Sequence, residues 1–147
     1  MADPTSRILL VRHGQSEWNA AGRWQGQADP PLSDLGREQA YRASRRLGTV
    51  DLIACSDLQR ATDTAMILSD MLGVGPVVVD PRLRERDAGA YSGLTRVEID
   101  EQFPGYLEER RDPPGWETDD SVLERLMACL DALASEYPGS EIVVVTH

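Results

Sequence analysis

Ile8 to Asn19 reads ILLVRHGQSEWN: four branched apolar residues run into Arg-His-Gly, and polar residues follow. Four apolar residues without alternation predict a strand buried on both faces, the kind that parallel sheets carry. A near copy, IVVVTH, lies at Ile142 to His147. The chain contains 2 histidines, His13 and His147, and each closes one of these runs. In open parallel sheets, ligands sit outside the carboxyl ends of the strands. If the two strands are neighbours, both imidazoles face one pocket.

Strand and helix signals alternate between the two runs. Gly14 to Leu32 is rich in Gly, Pro and polar residues and is predicted to be irregular. Ser33 N-caps a helix running to about Leu47, with Leu35, Ala40, Ala43 and Leu47 on one face. Val50 to Ala54 is a second short strand. Asp57 is the cap expected for the next helix, with Ala61, Ala65, Leu68 and Leu72 at helical spacing and Gly73 as its stop. Val77 to Val79 is a third strand. Pro81 to Gly93 is a charged loop, Thr95 to Phe103 a short helix, and Arg110 to Thr118 another loop. Val122, Leu123, Leu126, Met127, Leu130 and Leu133 then repeat at helical period. Pro138-Gly139 ends that helix, and Ile142 to Val145 is the fourth strand. The order predicts an α/β fold with a mostly parallel central sheet and helices on both faces. At 147 residues, without repeat or linker, the chain is read as a single domain, 1–147.

The net charge of -10 disfavours nucleic acid and anionic membrane as partners, since both are bound by basic surfaces. An anion site in this chain must be a local basic pocket within an acidic shell. Cys55 and Cys129 have no metal spacing and are expected to be reduced core residues. Met1 to Arg7 is too short and polar for a signal peptide, and no apolar run approaches a membrane span. A cytoplasmic location is the expectation.

One histidine at a strand end usually satisfies a local backbone group; two in matching contexts, one of them beside Arg12, point to chemistry. Metal binding lacks a third ligand, and a neighbouring arginine opposes a cation. Nucleotide-cradling glycine motifs are absent. Arginine offers a fork of donors that matches phosphate oxygens. Arg60, in CSDLQRATDTA, falls on the first turn of the helix that follows the second strand, and Asn19 adds an amide donor. Two Arg, two His and one Asn at one sheet edge suit a phosphoryl group.

These segments carry a resemblance. LVRHGQSEWN resembles the signature of the histidine phosphatase superfamily, in the branch that includes the cofactor-dependent phosphoglycerate mutases. GRWQGQADPPLSDLGREQA, CSDLQRATDTA, RLRERDAGAYSGLT and IVVVTH resemble the family's further motifs, in the family's order, from Ile8 onward. The resemblance implies a phosphoglycerate mutase-like fold. It implies that His13 is the nucleophile and becomes a phosphohistidine. Arg12, Asn19, Arg60 and His147 would hold the phosphoryl oxygens, Glu85 would be the proton donor, and Gln25 would touch substrate. No metal or other cofactor is implied, because arginines neutralise the transferring group. A protonated His147 is expected to stabilise the transferred charge.

The resemblance also implies what differs. Family members continue past the second histidine with Gly and further helix and strand, so the chain is expected to be truncated, carrying only part of the family domain. Exposed apolar surface on such a piece would favour a homodimer. The mutases carry a long insertion after the acid–base loop; here only Thr95 to Asp120 intervenes, which favours phosphatases acting on a small phosphorylated metabolite. Two readings stand beside that one: a 2,3-bisphosphoglycerate-dependent mutase, and a phosphate- or phosphopeptide-binding module without turnover. GWETDDS stands where many of the phosphatases have Gly-Glu-Ser before a helix, and Glu117 is the counterpart of that Glu.

Overall fold

The computed structural model describes residues 5–147. Four parallel strands form one sheet in the order β1-β4-β2-β3: β1 is Arg7–Arg12, β2 Leu52–Cys55, β3 Val78–Val79 and β4 Glu141–Thr146. β1 and β4 are therefore neighbours, in a register that sets Ile8 opposite Ile142 and Arg12 opposite Thr146. The helices are α1 (Glu17–Ala20), α2 (Asp34–Ser44), α3 (Gln59–Leu72), α4 (Arg96–Gln102) and α5 (Asp119–Glu136).

The two central strands explain the layers. Successive side chains point to opposite faces, and β2 and β4 are apolar at every central position. Leu52, Ala54, Ile142 and Val144 pack against Cys129 and Leu133 of α5. Ile53, Cys55, Val143 and Val145 pack against Ala61, Ala65 and Leu68 of α3. Helices thus cover both faces, as the alternating pattern predicts. The caps follow the sequence signals. Ser33, Thr95 and Thr118 each accept a first-turn N–H with their hydroxyls, and Gly73 ends α3 in the left-handed conformation at φ 65.

Several expectations are corrected. Among the described residues β1 lies at the edge of the sheet, and Leu9 and Leu10 are 52% and 58% exposed. An apolar run alone does not distinguish an edge from a centre. α2 ends at Ser44 rather than near Leu47, and Leu35 points outward while Gly36 and Ala40 are buried. Leu123 and Met127 are exposed; the buried stripe of α5 runs through Cys129 and Leu133, with Leu126 and Leu130 beside it. Asp57 does not cap α3: its carboxylate pairs with Arg84 through two bonds of 2.6 Å. The first turn of α3 is capped from a distance instead, as the Gln59 N–H donates to Asp29 Oδ1 at 2.6 Å. The irregular 14–32 segment contains α1, and the 81–93 loop contains two short 3-10 turns, Pro81–Leu83 and Gly89–Tyr91.

One close approach positions the site. A Cβ on Gly36 would lie 2.0 Å from the Gln15 carbonyl oxygen, and one on Gly14 would lie 2.3 Å from that of Gly36. Two bare backbones therefore let the start of α2 lie against the turn that follows His13.

Candidate active site

His13 is buried one residue beyond β1, and its N–H donates to the Thr146 carbonyl at 3.1 Å, so it continues the β1–β4 ladder. Its Nδ1 lies 2.5 Å from the Gly14 carbonyl oxygen. A carbonyl only accepts, so Nδ1 carries the proton and Nε2 keeps its lone pair. Burial pulls the ring down to about 4; the Gly14 bond opposes this, and the Arg60 and Arg12 charges add to it. A neutral ring with a free Nε2 is a nucleophile.

His147 follows β4, and its ring centroid is 4.9 Å from that of His13, tilted by 57°. Burial, then Arg60 and His13, push it down to about 2. The ring is therefore neutral, not protonated as expected: a buried site already holding arginines disfavours another cation. Its Nε2 lies 2.7 Å from Ser56 Oγ. Ser56 Oγ also accepts the Leu58 N–H at 3.4 Å, and a hydroxyl can either donate to Nε2 or accept from it. Where the hydroxyl donates, the His147 proton sits on Nδ1.

Arg60 is fully buried in the first turn of α3. Its guanidinium donates to the Ala28 and Gly26 carbonyls at 2.7 and 2.6 Å, which pins it beneath the 26–28 turn. Among the described residues, the buried side-chain nitrogens and oxygens left without a partner are Arg60 Nε and His147 Nδ1. Unpaired buried polar groups are rare, and each calls for a reason. Arg60 Nε is a donor, and with its proton on Nδ1 His147 is a second, as an anion would require.

The remaining residues line two adjoining depressions. One, of about 390 Å³, is bordered by Arg12, Asn19, Gln25, Glu85, Trp24 and Trp116 among others. The second, of about 260 Å³, is bordered by His13, Arg12 and Asn19 with neighbouring residues. Arg12 and Asn19 are common to both. Arg12 is exposed at the mouth and has no carboxylate partner among the described residues. Asn19 Oδ1 accepts the Ser16 N–H at 3.0 Å in a capping box, which leaves its NH₂ as a donor. Gln25 Oε1 accepts from Ser16 Oγ and leaves its NH₂ likewise. Glu85 is half-buried, its Oε1 accepts the Arg86 N–H at 2.6 Å, and its charge is felt at Arg60.

Sequence reasoning gave no role to two groups that hold this arrangement. Ser56 in the sequence is only a serine shortly before a helix, a position with an ordinary capping use. Arg125 was unremarked on α5, though a charge on the buried stripe of an amphipathic helix is a signal. It donates to the Arg82, Arg84 and Glu85 carbonyls at 2.9, 2.6 and 3.1 Å. It also makes two bonds of 2.9 and 2.8 Å with Glu117, whose carboxyl Arg125 holds down at about 2.

Fold and site together describe an α/β protein with paired histidines at the carboxyl ends of neighbouring parallel strands. The profile of the histidine phosphatase superfamily (branch 1) matches residues 8–147, and the chain belongs to that family. Glucosyl-3-phosphoglycerate phosphatase of Mycolicibacterium vanbaalenii is 41% identical over 155 residues, covering 96% of this chain and 68% of that protein. Metal-independent phosphoserine phosphatase of Arabidopsis thaliana is 36% identical, covering 97% of this chain and 64% of that protein. The solved structure of mycobacterial glucosyl-3-phosphoglycerate phosphatase with VO3 superposes with a TM-score of 0.85 at 38% identity, over 94% of this chain and 73% of that one.

Proposed function

We propose that the chain hydrolyses a small phosphomonoester through a phosphohistidine at His13, without a metal ion. The observation that carries this is the neutral His13 ring, Nδ1 held by Gly14 and Nε2 free, beside two buried unpartnered nitrogens, Arg60 Nε and His147 Nδ1. Nε2 attacks phosphorus, the bond to the leaving oxygen breaks, and the Glu85 carboxyl gives that oxygen a proton. Arg12, Arg60, the Asn19 amide and His147 Nδ1–H donate to the equatorial oxygens, whose charge is the main thing a phosphoryl-transfer site must stabilise. Water then attacks phosphorus and yields its proton to the Glu85 carboxylate. The Nε2–P bond breaks, releasing inorganic phosphate. Relatives named as phosphatases, and the short 95–120 segment, favour water over a second hydroxyl as acceptor.

Rapid acid quench with ³²P-labelled substrate is expected to trap an acid-labile, base-stable phosphoenzyme that His13→Ala lacks, with turnover lowered at least about a thousandfold. Unchanged turnover in His13→Ala, or its loss on adding a chelator, overturns the proposal. Phosphate binding without any hydrolysis would instead identify a binding module.

A further inference from the structure

We infer that Trp24 and Trp116 form the subsite for the leaving alcohol and select phosphomonoesters whose alcohol presents the flat face of a ring. The inference rests on the phosphatase reading above.

The cavity of about 390 Å³ that holds Arg12, Asn19, Gln25 and Glu85 is continuous with a wall made by these two indoles. That volume is in the range of small-molecule sites, about 300–1,000 Å³, and exceeds what a phosphoryl group alone requires. The alcohol must therefore extend toward the wall. The indole centroids are 6.0 Å apart and the planes meet at 54°, which makes an open corner. Trp24 stays 37% exposed at the cavity although an indole gains much from burial.

The corner is rigid. Tyr91 stands edge-on to Trp24 at 5.4 Å and to Trp116 at 5.9 Å, and Phe103 backs Tyr91 at 5.7 Å. The Trp24 backbone is tied at both ends, its N–H donating to Leu94 O at 3.0 Å and its carbonyl accepting from the Gly93 N–H at 2.7 Å.

The two arginines of this wall are already engaged. Arg23 donates to the Gly93 carbonyl at 2.7 Å and pairs with Glu98 at 3.2 Å. Arg86 donates to the Glu117 carbonyl and to Asp119, each at 2.6 Å, with its guanidinium 5.3 Å above the Trp116 ring. Neither is an unpaired cation waiting for a second anion. With Arg86 over Trp116, what the wall offers an alcohol is the exposed Trp24 ring with Trp116 as its flank, and the chemistry that uses it is stacking by an aryl ring or by the C–H face of a sugar ring.

The test compares kcat/KM for phenyl phosphate and glucose 6-phosphate with that for two acyclic esters, glycerol 3-phosphate and phosphoserine. Stacking of a flat ring on an aromatic side chain changes affinity about five- to 150-fold, so Trp24→Ala is expected to lower kcat/KM for a ring-bearing ester about tenfold or more. The acyclic esters should stay within about twofold, and Trp24→Phe should retain most of the preference. A fall for phenyl phosphate alone identifies an aryl ring, and a fall for glucose 6-phosphate alone a sugar. Equal falls for all four esters, or none, overturn the inference. A second readout needs no turnover and no variant: indole fluorescence of the unsubstituted protein titrated with phenylphosphonate and methylphosphonate. At least fivefold tighter binding of phenylphosphonate supports the subsite, and equal affinity refutes it. If phenylphosphonate binds with that preference but no ester is hydrolysed, the phosphatase reading fails and the subsite stands.

Discussion

His147 can donate to a phosphoryl oxygen while neutral when the Ser56 hydroxyl donates to Nε2 and leaves the ring proton on Nδ1. The hydroxyl is 2.7 Å from Nε2, itself accepts from the Leu58 N–H, and leaves Nδ1 buried with no other partner. Removing a donor to a developing oxyanion costs roughly 10²–10³ in kcat, and loosening one costs less. Ser56→Ala is therefore expected to lower kcat about 10–100-fold. In ¹⁵N spectra the His147 ring should change from a single Nδ1–H tautomer to a mixture. A tautomer unchanged in the variant would sink this account. Residues at this scale differed in legibility. Arg12, His13 and Arg60 stood out because each sits in a segment that resembles a family motif. Ser56 did not, because a serine just before a helix has an ordinary use as a cap, and only coordinates show its hydroxyl turned to a ring 91 residues away.

Among the elements, α5 does more than cover a face of the sheet. Through Arg125 it grips three carbonyls of the 82–85 segment and so holds the backbone of Glu85 in place. The Arg125 and Glu117 side chains are only 18% and 13% exposed. Breaking such a pair leaves an uncompensated charge, at a cost of about 3–5 kcal/mol. Arg125→Met should destabilise the fold by that order in urea unfolding, and adding Glu117→Gln should restore part of the loss. Additive losses in the double variant would show that the two do not act as a pair. Element positions were largely legible from caps and apolar period. Their packing was not: β1 and β4 read alike as apolar runs, yet among the described residues one lies at the edge with Leu9 and Leu10 exposed and the other is central. Sequence period likewise did not say that Leu123 and Met127 face outward, because neighbouring helical positions share an apolar stripe until a partner surface chooses among them.

The molecule as a whole stores two neutral histidines in a buried cationic site, and this sets its response to acid. In the unfolded chain each ring titrates near its ordinary value of 6.5, whereas the folded rings are held down at about 4 and about 2. Below 6.5 the unfolded chain therefore takes up protons that the folded chain refuses. The stabilisation is full above 6.5 and is lost as pH falls, toward about 4 for His13 and further for His147. Each unpaired proton costs about 1.4 kcal/mol per pH unit. Between pH 7 and 5 the pair should cost on the order of 4 kcal/mol, seen as a falling Tm. Glu117 adds its own loss in stronger acid, between its ordinary 4.5 and about 2. A Tm flat from pH 7 to 5 would contradict the neutral, buried pair. The β1–β4 pairing has a different consequence, one of timing. Arg7 pairs with Glu141 and Arg12 with Thr146, so the two histidines meet only when distant parts of the chain close on each other. Closure over that span is entropically costly and slow compared with local contacts such as those of the α2–β2–α3 region. A partly folded chain can hold Arg60 on its helix and still lack a reactive centre. The paired-histidine centre thus forms only once β1 and β4 have met, so its appearance reports that this long-range closure is done.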